Sequence, residues 1–171
     1  MSNTKFVDIY GAIIANTVYA DNRLVGRNVE TTLPEVTPVT AEIQALGTMS
    51  MPIWQLIEDM EFTITKIGID SGLRDLIKPQ TVNLELRFVQ NVTDENGLNT
   101  QKGCKAFLKG MSTKIPGLSG NVGEGSANEF TFSVMRYQLF VDGQELFLID
   151  RFAGIVRIQG VDYTELMNSL L

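Results

Sequence analysis

The sequence contains no histidine and a single cysteine among its 171 residues. Histidine is the commonest general base and the commonest metal ligand, so its absence excludes the usual serine and cysteine triads. Cys104 has no second cysteine to pair with, which excludes an internal disulfide framework. We therefore expect a protein that is not an enzyme and that carries no catalytic residues, no metal and no cofactor.

Long apolar runs and excess positive charge are also absent. The first 23 residues hold one lysine and then Asp8, with no apolar run of the length that a signal peptide or a membrane span needs. The net charge is −6, whereas a protein that grips nucleic acid by its phosphates needs a basic face. We expect a soluble protein made in the cytoplasm that does not bind DNA specifically.

Turn signals are frequent, and many of the stretches between them alternate between apolar and polar residues as half-buried strands do. Tight hairpins are predicted at Asp21-Asn22, at Asn96-Gly97 and at Asp142-Gly143. In the strand near residue 136, the apolar positions switch by one residue. The switch predicts a β-bulge or a strand that is covered on both faces.

The longest predicted hairpin covers residues 83–109 and is expected to act as an arm. Its outer part, residues 90–103, is polar and could project beyond the core. A two-stranded ribbon is only marginally stable by itself in water, so a long one is expected to have a partner.

Helical spacing occurs in two short segments. In residues 71–79, Leu73, Leu76 and Ile77 form one apolar stripe, which predicts a helix of about two turns. Residues 161–171 are predicted to be a C-terminal arm or a short helix. The expected fold is mainly β, a barrel or sandwich with one or two short helices, formed by a single domain over residues 1–171 with an N-terminal segment at 1–16.

The segment "MPIWQLIEDMEF", residues 51–62, is compatible with two structures. Ile53, Leu56, Ile57 and Met60 have the spacing of an amphipathic helix. Met60 also begins an alternation, "MEFTITKIGI", that is typical of a strand. The family resemblance given below favours an extended segment, or at most one helical turn, over residues 52–57, followed by a strand from Met60 that belongs to an inner sheet.

Trp54 stands beside Met49, Met51 and Pro52 and has two interpretations. The simpler one is packing in the core, and the other is an exposed apolar patch that docks on a neighbouring subunit. The stretch before it, residues 41–53, contains small residues and Gly47, which is expected of a loop that adapts to a partner.

Three polar clusters could be mistaken for chemical sites. Glu58, Asp59 and Glu61 are too close in sequence to converge, and a solvated face or charged interface is the better interpretation. Asp94 and Glu95 lack the spaced ligands of a calcium loop. The glycines of "GLSGNVGEGS" lack the Lys-Ser or Lys-Thr pair of a phosphate-binding loop.

A resemblance to a known family rests on three blocks of sequence: "TLPEVTPVTAEIQALGTMSMP", "DMEFTITK" and "RYQLFVDGQELFLIDRFAGIVRIQGVD". Their order resembles that of the major tail tube protein of contractile-tailed phages and R-type tailocins, which is related to the tubes of type VI secretion systems. The C-terminal block is the most specific, with Val-Asp-Gly at 141–143 and "GVD" at 160–162. The resemblance runs from about residue 17 to the end.

The resemblance implies a structural protein of the inner tube of a contractile tail or injection machine. Members assemble as hexameric rings whose inner sheets join into one barrel, and the rings stack around a channel through which DNA or ions pass. The implied partners are further copies of the chain, the sheath, the baseplate or tube initiator, the tape measure and the tail terminator. The implied location is a virion tail or tailocin particle that is assembled in the bacterial cytoplasm.

Two sets of residues are candidates for this role. The subunit interface is expected to include eight residues: Leu46, Met49, Met51, Pro52, Trp54, Asn96, Gly97 and Tyr163. A polar face, lining either the lumen or the outer surface, is expected to include Glu85, Arg87, Lys105 and Lys109, because they are the polar positions of alternating strands. The alternatives are a monomeric β-barrel that binds an apolar ligand and the tube protein of a secretion system.

Overall fold

The computed structural model describes residues 9–171, so half of the N-terminal segment 1–16 lies outside the described residues. The described strands, in chain order, are β1 (Ile9–Ala20), β2 (Arg23–Arg27), β3 (Glu30–Thr32), β4 (Pro38–Gln44), β5 (Thr48–Ile57), β6 (Met60–Ile67), β7 (Thr81–Thr93), β8 (Asn99–Lys114), β9 (Ala127–Val141), β10 (Gln144–Asp150), β11 (Ile155–Ile158) and β12 (Val161–Asp162). The helices are α1 (Gly72–Leu76) and α2 (Glu165–Ser169).

The strands form one large sheet and one separate hairpin. In the large sheet, the strand order is β12-β11-β10-β9-β8-β7-β1-β2, with β6 paired to β9 and β3 paired to β6. Strands β4 and β5 pair only with each other. The mainly β fold with two short helices is confirmed, and the large sheet is not closed in the described part of a single chain.

Strand β9 pairs with two different strands along one edge. Its C-terminal half pairs with β10, and its N-terminal half pairs with β6. Between the halves, Lys109 pairs with Arg136 but Gly110 pairs with Val134, which leaves Met135 as an extra residue. The predicted switch of faces near Arg136 is therefore a β-bulge, which bends a strand in this way.

Gly110 is required where β8 passes this bulge. A Cβ atom at Gly110 would lie 2.8 Å from the carbonyl oxygen of Ser133, which is closer than side-chain atoms normally approach backbone. The bend in β9 therefore depends on a glycine in the neighbouring strand.

The core lies between the large sheet and the β3–β6 pair that folds over it. On β7, Val82, Leu84 and Leu86 are buried, while the alternate residues face away from the core. The largest fully buried side chains include Met60, Phe62 and Ile64 of β6 and Phe130 and Phe132 of β9. Strict alternation in these strands places every second side chain in the same layer.

Two of the predicted tight turns have the backbone conformation that a two-residue hairpin requires. Asp21 and Asn22 have φ angles of 48° and 65°, and Asp142 and Gly143 have φ angles of 51° and 76°. Two successive residues with positive φ match the twist of the flanking strands. The turn at Asn96-Gly97 also forms, between β7 and β8, where Asp94 accepts hydrogen bonds from the backbone N–H groups of Asn96 and Leu98.

The hairpin predicted over 83–109 is present as β7 and β8, paired from Thr81↔Met111 to Thr93↔Asn99. Its inner part belongs to the sheet, because β1 pairs with β7 as far as Thr93 and β9 pairs with β8 from Cys104 onward. In the described part of the chain, residues 99–103 of β8 pair with β7 alone, so the role of the outer part as an arm stays a prediction.

Residues 51–62 are extended, as the favoured interpretation predicted: β5 ends at Ile57 and β6 begins at Met60. The neighbouring segment 41–53 is not a loop, however. It is most of the β4–β5 hairpin, which turns at Ala45–Gly47 with Gly47 at a φ of 115°. The two predicted helices are present but short, with five residues each.

Lys66 is a buried cation in the core face of β6. Its ammonium group donates to the carbonyl oxygen of Val25 in β2 and lies 2.7 Å from Oδ1 of Asp70. The same oxygen accepts the backbone N–H of Gly72, the first residue of α1. Lys66 therefore links β2, β6 and α1. The hydrogen bond that Lys66 donates to Asp70 is the main cause that holds the pKa of Asp70 below its ordinary value.

We expect the Lys66→Met substitution to lower the free energy of unfolding by about 2 kcal/mol, because the buried Val25 carbonyl loses its donor while the apolar stem is kept. The measurement is urea unfolding of the unassembled chain. The matched control is Lys78→Met, which removes partly exposed ion pairs to Asp21 and Asp75 and should cost less than about 1 kcal/mol. Equal losses for the two variants would contradict this role.

Candidate assembly surfaces

The four residues of the predicted polar face lie together on the side of the large sheet that faces away from the core. Arg87 is the cross-strand partner of Lys105, Glu85 is the partner of Phe107, and Lys109 is the partner of Asn83. Because directly opposed residues in a sheet project on the same side, the register places all four side chains on one face. Whether this face lines a lumen or an outer surface stays a prediction.

One ion pair neutralises part of the charge on this face. Arg87 Nε lies 2.7 Å from Oε1 of Glu85, and its guanidinium stacks 4.8 Å from the ring centroid of Tyr19. Lys105 and Lys109 form no ion pair with another described residue. The hydrogen bond that Arg87 donates to Glu85 raises the pKa of Arg87.

A second ion pair lies farther along the same face, on β10 and β11. Arg157 donates two hydrogen bonds to the carboxylate of Glu145, at 2.8 and 3.0 Å, and Gln138 donates a third at 2.8 Å. These bonds, the one from Arg157 foremost, hold the pKa of Glu145 below its ordinary value. Such bidentate pairs fix geometry as well as charge.

The β4–β5 hairpin has one apolar face and one polar face. Its register pairs Val39 with Ile53, Ala41 with Met51 and Ile43 with Met49. The opposite face carries Thr40, Glu42, Gln44, Thr48, Ser50 and Pro52. Ile43, Met49 and Met51 are 43%, 45% and 42% exposed, so the apolar face is uncovered.

The hairpin brings together only some of the predicted interface residues. Met49 and Met51 share its apolar face, whereas Pro52 lies on the polar one. Leu46 is fully exposed at the tip with a φ of 53°, which is unusual for leucine. Trp54 follows the Val39–Ile53 pair, after which the register of the hairpin shifts. It is 37% exposed, which excludes complete burial in the core of this chain.

The other predicted interface residues lie elsewhere. Asn96 and Gly97 are exposed at the β7–β8 turn. Tyr163 is 46% exposed beside the base of the hairpin, where its carbonyl oxygen accepts a hydrogen bond of 3.2 Å from Gln55.

Arg151 anchors the hairpin base and was not foreseen from the sequence. Its guanidinium donates to the carbonyl oxygen of Ile57 at 3.0 Å and to that of Glu58. Ile57 is the last residue of β5 and Glu58 follows it. Arg151 therefore holds the base of the hairpin against the turn after β10. An isolated arginine in a turn gives no sequence signal for such a contact.

Half of β1 has no partner strand on one edge among residues 9–171. β7 pairs with β1 from Ile9 to Ala20, with irregularities near Ile13, but on the other edge β2 reaches only as far as Thr17. The residues before it include Ile9, Tyr10, Ile13 and Ile14, all of which are exposed by 45% or more. An unpaired edge with apolar side chains on both faces is a strong site for pairing with another chain.

An apolar groove of about 450 Å³ lies on the core side of the large sheet, beyond the cover that β3 provides. Its lining comes from β1, β3 with the residue after it, β7, β8 and β9: Ile13, Thr31, Thr32, Leu33, Phe88, Gln90, Cys104, Leu139 and Val141. Burial raises the pKa of the Cys104 thiol. The groove combines residues from five parts of the chain, so no local pattern predicted it.

Chemical sites are not evident in the described part of the chain. Within residues 9–171, no group of three or more Cys, Asp or Glu side chains is placed to hold a metal ion. No helix among these residues has the length and apolar character to span a membrane. The features that remain are the charged and apolar surfaces described above.

Comparison with known proteins identifies a family and a similar fold. The family model described as "Phage tail tube protein FII" matches residues 12–171. Four chains of solved structures match the fold. One, from a structure described as "Cryo-EM Structure of an Extracellular Contractile Injection System, PVC sheath-tube complex in extended state", has a TM-score of 0.55 and 13% identity, covering 77% of this chain and 91% of that chain. No curated protein matches.

We expect Glu145→Gln to lower the free energy of unfolding by less than about 1 kcal/mol at pH 7, because the pair with Arg157 is partly exposed. The folded-state pKa of Glu145 lies below the ordinary value of 4.5, so its contribution is full above that value and is lost as the pH falls through the folded pKa. Urea unfolding from pH 7 to pH 3 should show the variant and the wild type converging.

The control for this measurement is Glu30→Gln, at an exposed carboxylate. It should leave the stability close to that of the wild type across the pH range. A difference between wild type and Glu145→Gln that stays constant down to pH 3 would contradict the electrostatic explanation.

Proposed function

The chain belongs to the family of phage tail tube proteins FII, and we propose that its copies stack as hexameric rings to form a tube. It is a structural protein of the inner tube of a contractile tail or injection machine. This identity replaces the alternative of a monomeric ligand-binding barrel. The role requires no catalytic step, so we assign the chain no enzymatic activity.

The observation that carries the proposal is the pair of surfaces that the single chain leaves unsatisfied. In the described part of the chain, no strand covers the edge of β1 before Thr17, and the apolar face of the β4–β5 hairpin exposes three large side chains. A stable monomer would protect both features. In a closed ring, neighbouring copies satisfy them, because a head-to-tail contact repeats until the ring closes.

We further propose that the polar face of the large sheet lines the channel. It carries Glu85, Arg87, Lys105 and Lys109, and its carboxylates are largely engaged by arginines. A wall of this kind stays hydrated, and Lys105 and Lys109 are its cations without an ion pair among the described residues. We propose that DNA or ions pass along it without specific binding, since the net charge of the chain is −6.

The proposed partners follow from the tube. The outer face of the rings would contact a sheath, and the two ends of the tube would contact a baseplate or tube initiator and a tail terminator, with a tape measure protein inside during assembly. The particle would assemble in the bacterial cytoplasm. The matched injection-system structure, which is described as a sheath-tube complex, supports the proposed contact with a sheath.

We expect negative-stain electron microscopy of the purified chain at neutral pH to show hollow rods or six-fold rings. Met49→Asp should abolish them, because it places a charge on the apolar face of the hairpin. The matched control is Ser50→Asp, which adds the same charge to the polar face of the same hairpin and should leave assembly intact. Loss of assembly in both variants, or in neither, would contradict the proposed interface.

The channel assignment has its own test. Lys109→Cys in a Cys104→Ser background would be labelled with a maleimide that carries a small heavy-metal cluster, and Cys104→Ser alone is the control. We expect added density inside the channel of the assembled tube. Density on the outside would assign the polar face to the outer surface instead.

A further inference from the structure

Two uncovered apolar surfaces lie near opposite ends of residues 136–141 of β9. The β4–β5 hairpin is anchored by Arg151, next to the end of β10 where Asp150 pairs with Arg136. The groove lies toward the other end of β9, where Val141 pairs with Cys104. Five residues of strand separate these points, a distance of about 17 Å. The exposed apolar face of the hairpin also shows that it does not fill the groove of its own chain.

The two surfaces match in chemistry. The apolar face of the hairpin consists of six aliphatic or thioether side chains, and the lining of the groove contains no charged residue. A groove of about 450 Å³ holds more than one side chain of the size of isoleucine or methionine. Met49 and Met51 are also flexible side chains, which fill irregular apolar spaces well.

The groove adjoins the edge that the proposed function assigns to a neighbouring subunit. Ile13 of the unpaired half of β1 forms one wall, and its own side chain is 58% exposed. A neighbour that approaches this edge therefore reaches the mouth of the groove. The occupant that suits it is a second copy, because each chain supplies one hairpin and one groove.

We propose that the apolar face of the β4–β5 hairpin of one copy docks in the groove lined by Leu33, Phe88, Cys104, Leu139 and Val141 of a second copy. The inference rests on the proposed function and deepens it by naming the receptor of the hairpin. The contact is heterologous, since each copy donates a hairpin to one neighbour and receives one from another.

The single native cysteine makes the contact testable, because Cys104 lies in the groove and the chain holds no other thiol. Assembled Met49→Cys and Met51→Cys proteins would be oxidised with copper phenanthroline and run on a non-reducing gel. Each subunit then offers one thiol on the hairpin and one in the groove. We expect a ladder of covalent multimers from at least one variant, since a disulfide needs the two Cα atoms within about 7 Å.

Two controls make the result specific. Ser50→Cys places the thiol on the polar face of the same hairpin and should give no ladder. Adding Cys104→Ser to Met49→Cys should remove the ladder and leave at most dimers. Because burial raises the pKa of Cys104, the oxidation is best performed at pH 9, where more of the thiol is ionised.

Electron microscopy of the same samples distinguishes a failure of the docking inference from a failure of the proposed tube. Rings or tubes that give no ladder with either methionine variant would overturn the docking inference while the proposed tube stands. A ladder of equal strength from Ser50→Cys would also overturn it. A wild-type chain that never assembles would contradict the proposed function itself.

Discussion

The fold depends on one extra residue in β9. Side chains in a strand alternate with a period of two, so inserting Met135 moves the following residues to the other face and bends the strand. The bend allows one strand to pair with β10 at one end and with β6 at the other. On the β6 side of the bend, Phe62, Phe130 and Phe132 lie in one buried cluster.

The same bend decides which surfaces are left for assembly. The cover formed by β3 and β6 extends over only part of the sheet, so the core side near Phe88 and Cys104 stays open as a groove. The chain that connects β3 to β6 is excluded from the sheet and pairs with itself as the β4–β5 hairpin. The described part of the chain thus leaves both an apolar groove and an apolar hairpin that it does not bring together.

Features set by neighbouring residues were predictable from the sequence, and features set by distant residues were not. The turns at residues 21–22 and 142–143 and the bulge after Val134 follow from local patterns, whereas the pattern before Met60 was compatible with both a helix and a strand. The hairpin at residues 38–57 also had a signal, because its apolar residues alternate, but Gly47 and the small residues suggested a loop. Lys66 occupies a core position of β6, and the carbonyl of the distant Val25, together with the nearby Asp70, explains why a cation lies there.

The exposed hairpin and the unpaired half of β1 also limit how long a free subunit can exist. Ile9, Tyr10, Ile13 and Ile14 stand beside unpaired backbone groups, the combination from which unordered aggregates grow. Correct and incorrect association thus compete for the same surfaces. A cell that makes this chain must supply a growing end quickly enough that newly synthesised subunits add to it before they meet one another in solution. The rate of tube nucleation, rather than the stability of the fold, then sets the yield of soluble material.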